Sequence, residues 1–358
     1  MNNENTPLVT ICIPNYNYGH YLKNCLDSVL NQTYTNLEVY FRDNNSSDDS
    51  YNIALSYRNK FKERGIYFSV SDNKRNLGSD INSKLATRDS EGEFIYTLAS
   101  DDAIKSNFIE RCINVFNTNP NVGLVMTHRE EVDEYGNIKS IEPFYNENCI
   151  VDRESQAAVF MMAGIAIPGQ RMTRRTILNC TTKYSRTFQV AGDWFDNFLY
   201  SCFGDVAYLK EPLCQYRVHT GNETNESERN LMGIFEHYQL INIFKDVSQS
   251  FGMEKPNKRY YEAIEKLGNM CLRYAMKMFR NNMNDVANRY LLLAPVFKRN
   301  IIEDITYNKL LICVSCQGKE LTERLDEIES ENVLKRNVSY NPPEGYTLID
   351  ENGRTILK

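Results

Sequence analysis

TICIPNYNYGHYLKNCLDSVLNQTYTNLEVYFRDNNSSDD, residues 10–49, holds two apolar runs separated by one helical period. The first run, LVTICIP (8–14), reads as a buried strand that Pro14 ends, because proline has no N–H to give the ladder. Leu22, Cys25, Leu26, Val29 and Leu30 then recur at three- and four-residue intervals, one face of a helix. LEVYFR (37–42) is the second strand, and the polar DNNSSDDS after it is a turn rich in helix caps. A strand, a helix and a strand at this spacing make a right-handed βαβ unit with parallel strands.

The alternation continues. IYFSVS (66–71) is a third strand and NKRNLGSD a loop in which Gly78 permits a positive φ. INSKLATRDS suits a short helix and EGEFIYTLAS a fourth strand. Residues 107–119 carry a helical period, VGLVMTH (122–128) is a fifth strand, and DEYGNIKS makes a hairpin turn. The expected class is therefore α/β, a Rossmann-like, mainly parallel sheet flanked by helices. In such sheets the ligand crevice lies at the carboxyl ends of the strands. That rule selects Asn15-Tyr16-Asn17, Asp43-Asn44, the loop Asn73 to Gly78, and Ser100-Asp101-Asp102. Neither G-x-G-x-x-G nor a Walker lysine follows the first strand, so a dinucleotide fold and a P-loop NTPase are not supported.

Composition narrows the classes. Residues 1–224 hold 22 Lys and Arg against 28 Asp and Glu, whereas residues 225–358 are balanced at 19 against 19. An acidic first part argues against nucleic acid as a partner and suits a site that gathers a divalent cation. The longest apolar run, residues 157–167, is too short to span a bilayer, and the first ten residues lack a secretory pattern. The ten cysteines are scattered; only Cys313 and Cys316 lie close, and structural thiols are the favoured reading over a metal or redox pair. A cytoplasmic protein is expected, including a peripheral position at the inner face of a membrane.

From about residue 225 the pattern turns helical, with amphipathic stretches at 230–247, 260–279 and 285–297 and a charged, solvated helix at 320–336. Residues 261, 264, 268, 271, 275 and 278 form one stripe whose Met and Tyr residues read as helix packing rather than a ligand box. YTLIDENGRTILK closes the chain as a hairpin around Asn352-Gly353. The domain expectation is 1–224 for the sheet unit, and 225–358 for a mostly helical unit serving acceptor recognition or homo-oligomerisation.

Two adjacent carboxylates at the end of a buried strand repel and raise each other's pKa. Asp101 and Asp102 either cap the helix that starts near Ser106 or face a hard divalent ion that also takes phosphate oxygens. The order of the other pieces favours the second. The P-x-Y-N strand end, the helix ending SVLNQTY, the acid-headed DNNSSD, NKRNLG and LASDD together resemble the nucleotide-binding half of inverting glycosyltransferases of family 2, whose fold is called GT-A. The resemblance covers roughly residues 7–222.

Carried over position by position, the resemblance implies a UDP-sugar donor and a Mn²⁺ or Mg²⁺ cofactor. Pro14 and Tyr16 would shape the uracil pocket, and Asp43 or its neighbour Asn44 would read the base. Arg75 would lie near the base or diphosphate, Asp101 on the nucleotide sugar, and Asp102 on the metal. GDWFDNFLY (192–200) resembles the later acidic motif, with Asp193 as catalytic base and Gly192 where the family usually has Glu. Asp193 also reads as the cap of its helix. CQYRVHTGN (214–222) resembles the closing strand, in which His219 helps hold the metal. Arg217 there reads equally as a diphosphate partner or a structural ion-pair member. Arg171, Arg174 and Arg175 either meet an anionic acceptor or flank a helix. The implied activity is transfer of a hexosyl or N-acetylhexosaminyl group to a protein side chain, a lipid-linked glycan or a surface polysaccharide. A non-catalytic nucleotide-sugar-binding scaffold is the alternative; a sugar nucleotidyltransferase fits less well, because PNYNYGH offers only Gly19 where a Gly-rich loop is needed.

Overall fold

Val9–Asn15 (β1) is buried along nearly its whole length, as a strand covered on both faces must be. In the computed structural model, which describes residues 6–184, 188, 190–219, 223–331 and 339–357, it pairs in parallel with Leu37–Asp43 (β2) and Phe94–Thr97 (β4). β2 pairs in parallel with Tyr67–Asp72 (β3). Gly19–Leu30 connects β1 to β2, Ser50–Ser56 and Arg58–Glu63 connect β2 to β3, and Ser79–Thr87 connects β3 to β4; the first buries the predicted Leu22, Cys25, Leu26, Val29 and Leu30.

The remaining strands are Ala103–Ile104 (β5), Val122–Asp133 (β6), Ile138–Lys139 (β7), Cys149–Val151 (β8), Arg171–Arg174 (β9), Asp205–Val218 (β10) and Thr347–Leu348 (β11). Across the sheet the order is β11-β8-β10-β6-β9-β4-β1-β2-β3, with β5 on β10 and β7 on β6. β6 and β10 are parallel, and β9 runs antiparallel between β4 and β6. The sheet is mixed but mostly parallel, as expected.

β9 is the element that the sequence pattern hides. RMTRR does not read as an interior strand, yet each arginine is satisfied at the sheet. Arg174 packs against the paired rings of Phe94 and Phe116 and donates to the carbonyls of Val122 and Phe116. Arg175 donates to Gly92 O and Ser90 Oγ, at the amino ends of the strands. β10 is likewise longer than CQYRV suggests; its register breaks at Pro212, the place where a strand residue has no N–H to give.

The C-terminal helices Met232–Ser250, Tyr260–Arg280 and Asn284–Phe297 do not form a core of their own. One continuous cluster of buried residues runs from Leu124, Phe160 and Phe198 through Phe244 and Cys271 to Tyr290 and Leu325. Within Tyr260–Arg280 the buried side chains include Leu267, Cys271, Tyr274, Ala275 and Met278, and Tyr274 meets Tyr290 with ring centres 5.2 Å apart and planes tilted by 54°. The other Met and Tyr residues of this helix pack, whereas Tyr261, counted in the stripe, is exposed to solvent. Cys313 and Cys316 are both buried free thiols. Among the described residues no helix is long and apolar enough to cross a membrane.

The tail returns to the sheet. β11 pairs with β8, Ile349 bridges Thr355 across the turn, and Arg111 and Asn119 hold Asn352 Oδ1 and Gly353 O at 3.1 and 2.8 Å. Gly353 has φ +79°, and a Cβ there would stand 2.6 Å from Val115 Cα. Gly136 has φ +93° with open space around it. Gly353→Ala should therefore lower stability by about 1–3 kcal/mol, and Gly136→Ala by about 1 kcal/mol or less. The two urea midpoints test this; equal shifts would mean that the close approach to Val115 is not what requires glycine.

Candidate functional site

At the end of β1 the chain turns sharply, with Asn17 at φ +58°, and is zipped to the loop after β2. Asn17 N–H donates to Ser46 Oγ, Ser47 N–H to Asn17 Oδ1, and Gly19 N–H to Asp48 Oδ2. This turn leaves the Tyr16 ring 44% exposed at the crevice, available to a flat ligand. Pro14 stands beside Arg42 in the β1–β2 register, one residue before Asn15 and Asp43.

Asp43 and Asn44 are both buried and have separate duties. Asp43 Oδ1 accepts from Asn15 Nδ2 and Ser46 Oγ, each at 2.7 Å, and its Oδ2 accepts the Ser46 N–H. Asn44 is committed on all sides: its Oδ1 accepts from Asn73 Nδ2 and Leu77 N, and its Nδ2 donates to Asn76 Oδ1 and Gly78 O. Asn44 thus fixes the loop that carries Arg75. The Arg75 side chain is exposed and unpaired among the described residues.

The carboxylate pair lies at the end of β4, against the last residues of β10. Asp102 Oδ1 accepts the Arg217 N–H at 2.8 Å. Asp101 O accepts from Arg217 Nε at 2.9 Å, and Arg217 Nη1 donates to Asp133 O. The guanidinium of Arg217 also sits 4.4 Å above the Tyr21 ring centre, so structural pairing, rather than a diphosphate, occupies it. His219 Nε2 is 3.2 Å from Asp101 Oδ2, and its ring stands edge-on to Tyr18. It is Asp101, not Asp102, that meets the histidine. Burial, and then the charge of Asp101, push the Asp102 carboxyl well above the usual carboxylate range. Asn15 Oδ1 and Ser100 Oγ, at these same strand ends, are buried without a hydrogen-bond partner among the described residues. Such atoms are expected where a ligand completes a site.

Two carboxylates and an imidazole are a donor set that Mn²⁺ or Mg²⁺ accepts. Among the described residues no three ligating side chains gather around one point, so a cation here would take one or two protein ligands and complete its shell from water and diphosphate oxygens.

Asp193 enters from the far wall. Its helix is Gly192–Ser201, with Ala191 as N-cap, so Asp193 sits at the second helical position rather than the cap. Its Oδ1 accepts the Trp194 N–H, and its Oδ2 has no partner among the described residues. Burial raises its pKa, against the opposing charge of Arg171. The Tyr216 phenol on β10 is pushed up to about 12, by burial first, and feels Asp102, Asp101 and Asp193 together.

Comparisons with known proteins identify the family. The sequence profile of Glycosyl transferase family 2 matches residues 10–182. A glycosyltransferase of Rickettsia typhi is 34% identical over 249 residues, 67% of this chain and 71% of its own. The chain is a family 2 glycosyltransferase. The chondroitin synthase of Escherichia coli is 28% identical over 281 residues, which span 78% of this chain but only 38% of that protein. In fold, this glycosyltransferase is similar to S. aureus TarS 1–349 solved with UDP-GlcNAc, at a TM-score of 0.53 and 15% identity over 90% of this chain and 83% of that one. That likeness supports the GT-A fold alone.

Three arginines of this glycosyltransferase, which read either as contacts to an anionic acceptor or as flanks of a helix, are engaged within the fold. Arg174 and Arg175 are bound as described above, and Arg171 is 8% exposed. Arg171 Nη1 donates to Asp193 O at 2.8 Å and to Asn197 Oδ1, and its Nη2 donates to Asp196 Oδ2 at 3.0 Å. The side chains that sequence reasoning missed are Asn44 as a clamp, Arg171 as an anchor of the Asp193 helix, and Glu236, whose carboxylate reaches the segment before that helix. Only Asn44 carried a signal, its place at a strand end.

Asn44→Ala removes four hydrogen bonds and leaves the Leu77 N–H and the Asn73 and Asn76 amides short of a partner. It should cost about 1–3 kcal/mol and speed trypsin cleavage after Lys74 or Arg75. Wild-type proteolysis rates in the variant would mean that the loop is held by other contacts.

Proposed function

We propose that this glycosyltransferase is inverting and metal-dependent, and that it moves a sugar from a UDP-sugar to an acceptor hydroxyl with Asp193 as base. The observation that carries the reading is the state of these side chains: Asp193 keeps an oxygen with no partner among the described residues, Asp101 meets His219, and the Tyr16 ring is exposed at the end of β1.

Asp43 has room for one more donor at Oδ2, which suits the imide N–H of uracil, and Tyr16 offers a face for the base. Asn44 is fully engaged, so the base-reading role goes to Asp43. Arg75, exposed and unpaired, suits the diphosphate. A divalent cation held by His219 and the Asp101–Asp102 pair would supply charge compensation for the departing diphosphate. The solved TarS complexes contain UDP-GlcNAc and UDP, which supports a uridine donor.

The chemistry then balances without a covalent intermediate. Asp193 Oδ2 takes the proton of the acceptor hydroxyl as that oxygen bonds to the anomeric carbon, and the bond to the diphosphate oxygen breaks with its electron pair leaving on UDP. Attack from the face opposite the leaving group inverts the configuration. A glycan acceptor, lipid-linked or part of a polysaccharide, fits a relative named chondroitin synthase; a protein side chain is the other acceptor that the open crevice admits. Absence of a spanning helix among the described residues suits a chain that meets such an acceptor at the inner membrane face.

UDP release from a panel of UDP-sugars with Mn²⁺ tests the reading. Asp193→Asn should lower transfer by about 10²–10⁴-fold while UDP binding stays intact; full activity of that variant would sink the base assignment. Because a base must be ionised to act and burial raises the Asp193 pKa, the rate should fall on acidification at a higher pH than an ordinary aspartate sets. An acidic limb at or below the usual aspartate value would contradict this.

A further inference from the structure

The segment that presents Asp193 lacks the local devices that normally fix a helix start. Ala191, the N-cap, has no side-chain acceptor, and position 194, where a capping box wants Glu or Gln, is Trp. The missing acceptor comes from elsewhere in the chain. Glu236, in the first turns of Met232–Ser250, is 7% exposed and accepts the backbone N–H groups of Val190 at 2.9 Å and Ala191 at 3.2 Å. It does across tertiary contact what the third helical residue does within a capping box. Its negative charge also meets the positive end of the Gly192–Ser201 dipole.

The same two helices are joined by rings. Trp194 meets His237 at 5.1 Å and Phe244 at 5.8 Å between centres, and Phe198 stacks on Phe244 at 4.0 Å with the planes 12° apart. Gly164 completes the packing: a Cβ there would lie 3.1 Å from the Trp194 side chain. On the opposite side Arg171 pulls the Asp193 carbonyl toward β9. The turn carrying Asp193 is thus held between an anion from the helical half and a cation from the sheet.

We infer that Glu236 is a positioning residue of this glycosyltransferase, fixing the backbone at Val190 and Ala191 so that the Asp193 carboxylate is aimed into the crevice. The helical C-terminal half then belongs to the catalytic centre and does more than recognise an acceptor. The inference rests on Asp193 as base for its catalytic consequence, but the clamp itself is separable.

The test uses the full chain and its one tryptophan, Trp194, which lies directly after Asp193. Glu236→Met fills the same volume and accepts nothing; Glu236→Gln keeps an acceptor. Glu236→Met should red-shift Trp194 emission and raise its quenching by acrylamide, with an unchanged far-UV spectrum. It should lower kcat by about 100-fold, the scale expected for a reacting group displaced by an ångström, while UDP affinity and donor KM stay at wild-type values. Glu236→Gln should restore both emission and kcat. Wild-type emission and kcat in Glu236→Met, or a loss of UDP affinity in step with kcat, would overturn the positioning role. Full activity of Asp193→Asn would remove the base assignment and leave the clamp standing or falling on the Trp194 emission alone.

Discussion

The site depends on one arrangement: two adjacent aspartates held at the end of a buried strand by a single arginine from the last long strand. Arg217 spends its backbone N–H on Asp102, its Nε on the Asp101 carbonyl and its Nη1 on the Asp133 carbonyl, with its guanidinium over Tyr21. Like charges so close disfavour the ionised state, and burial adds to that. Arg217 and Arg129 are the cations that act against it at Asp102. Because the same arginine also ties β10 to the end of β6, the strand that delivers His219 cannot shift without disturbing the carboxylates. Sheet closure and site geometry are one constraint.

This explains how the crevice is divided. At the strand ends nearest the chain start one carboxylate, Asp43, is held by Asn15 and Ser46, while Asn44 ties down the loop from Asn73 to Gly78. The far side is built from charges. Asp101, Asp102, Asp193 and Asp196 stand there against Arg171, Arg217 and Arg129, whose donors are largely used on carbonyls and amides. An edge with a single, well-held carboxylate suits recognition of a base by shape and a few hydrogen bonds. A charged end suits the place where charge is created and moved.

The strand–helix alternation of residues 8–128 was legible because each buried parallel strand is a short apolar run and each crossover helix keeps its period. The strand-end rule then selected Tyr16, Asp43 and the Asp101–Asp102 pair as candidates from position alone. β9 was illegible for a physical reason: its interior arginines are paid for by carbonyls and aromatic rings that are distant in sequence. The division of labour between Asp43 and Asn44 was also hidden, since an amide and a carboxylate at neighbouring positions differ only in which donors surround them. The resemblance to family 2 enzymes located Asp193 and His219, whereas no local pattern located Glu236.

A boundary near residue 224 follows the change in sequence texture, yet the core crosses it. Phe198 and Trp194 on one side and Phe244 and His237 on the other make a continuous apolar contact, and the tail beyond residue 345 crosses back to add a strand beside β8 and to seat Gly353 on Val115. Helices that merely decorated the sheet unit would bury their own faces against each other. Here they bury Phe244 and Tyr290 in the cluster that also holds Phe160 and Tyr208. The helix bearing the proposed base is therefore packed on one side by the sheet and on the other by the C-terminal half, so its orientation is set by both. A site assembled this way ties the helical half to the reaction through packing, whatever acceptor it also meets.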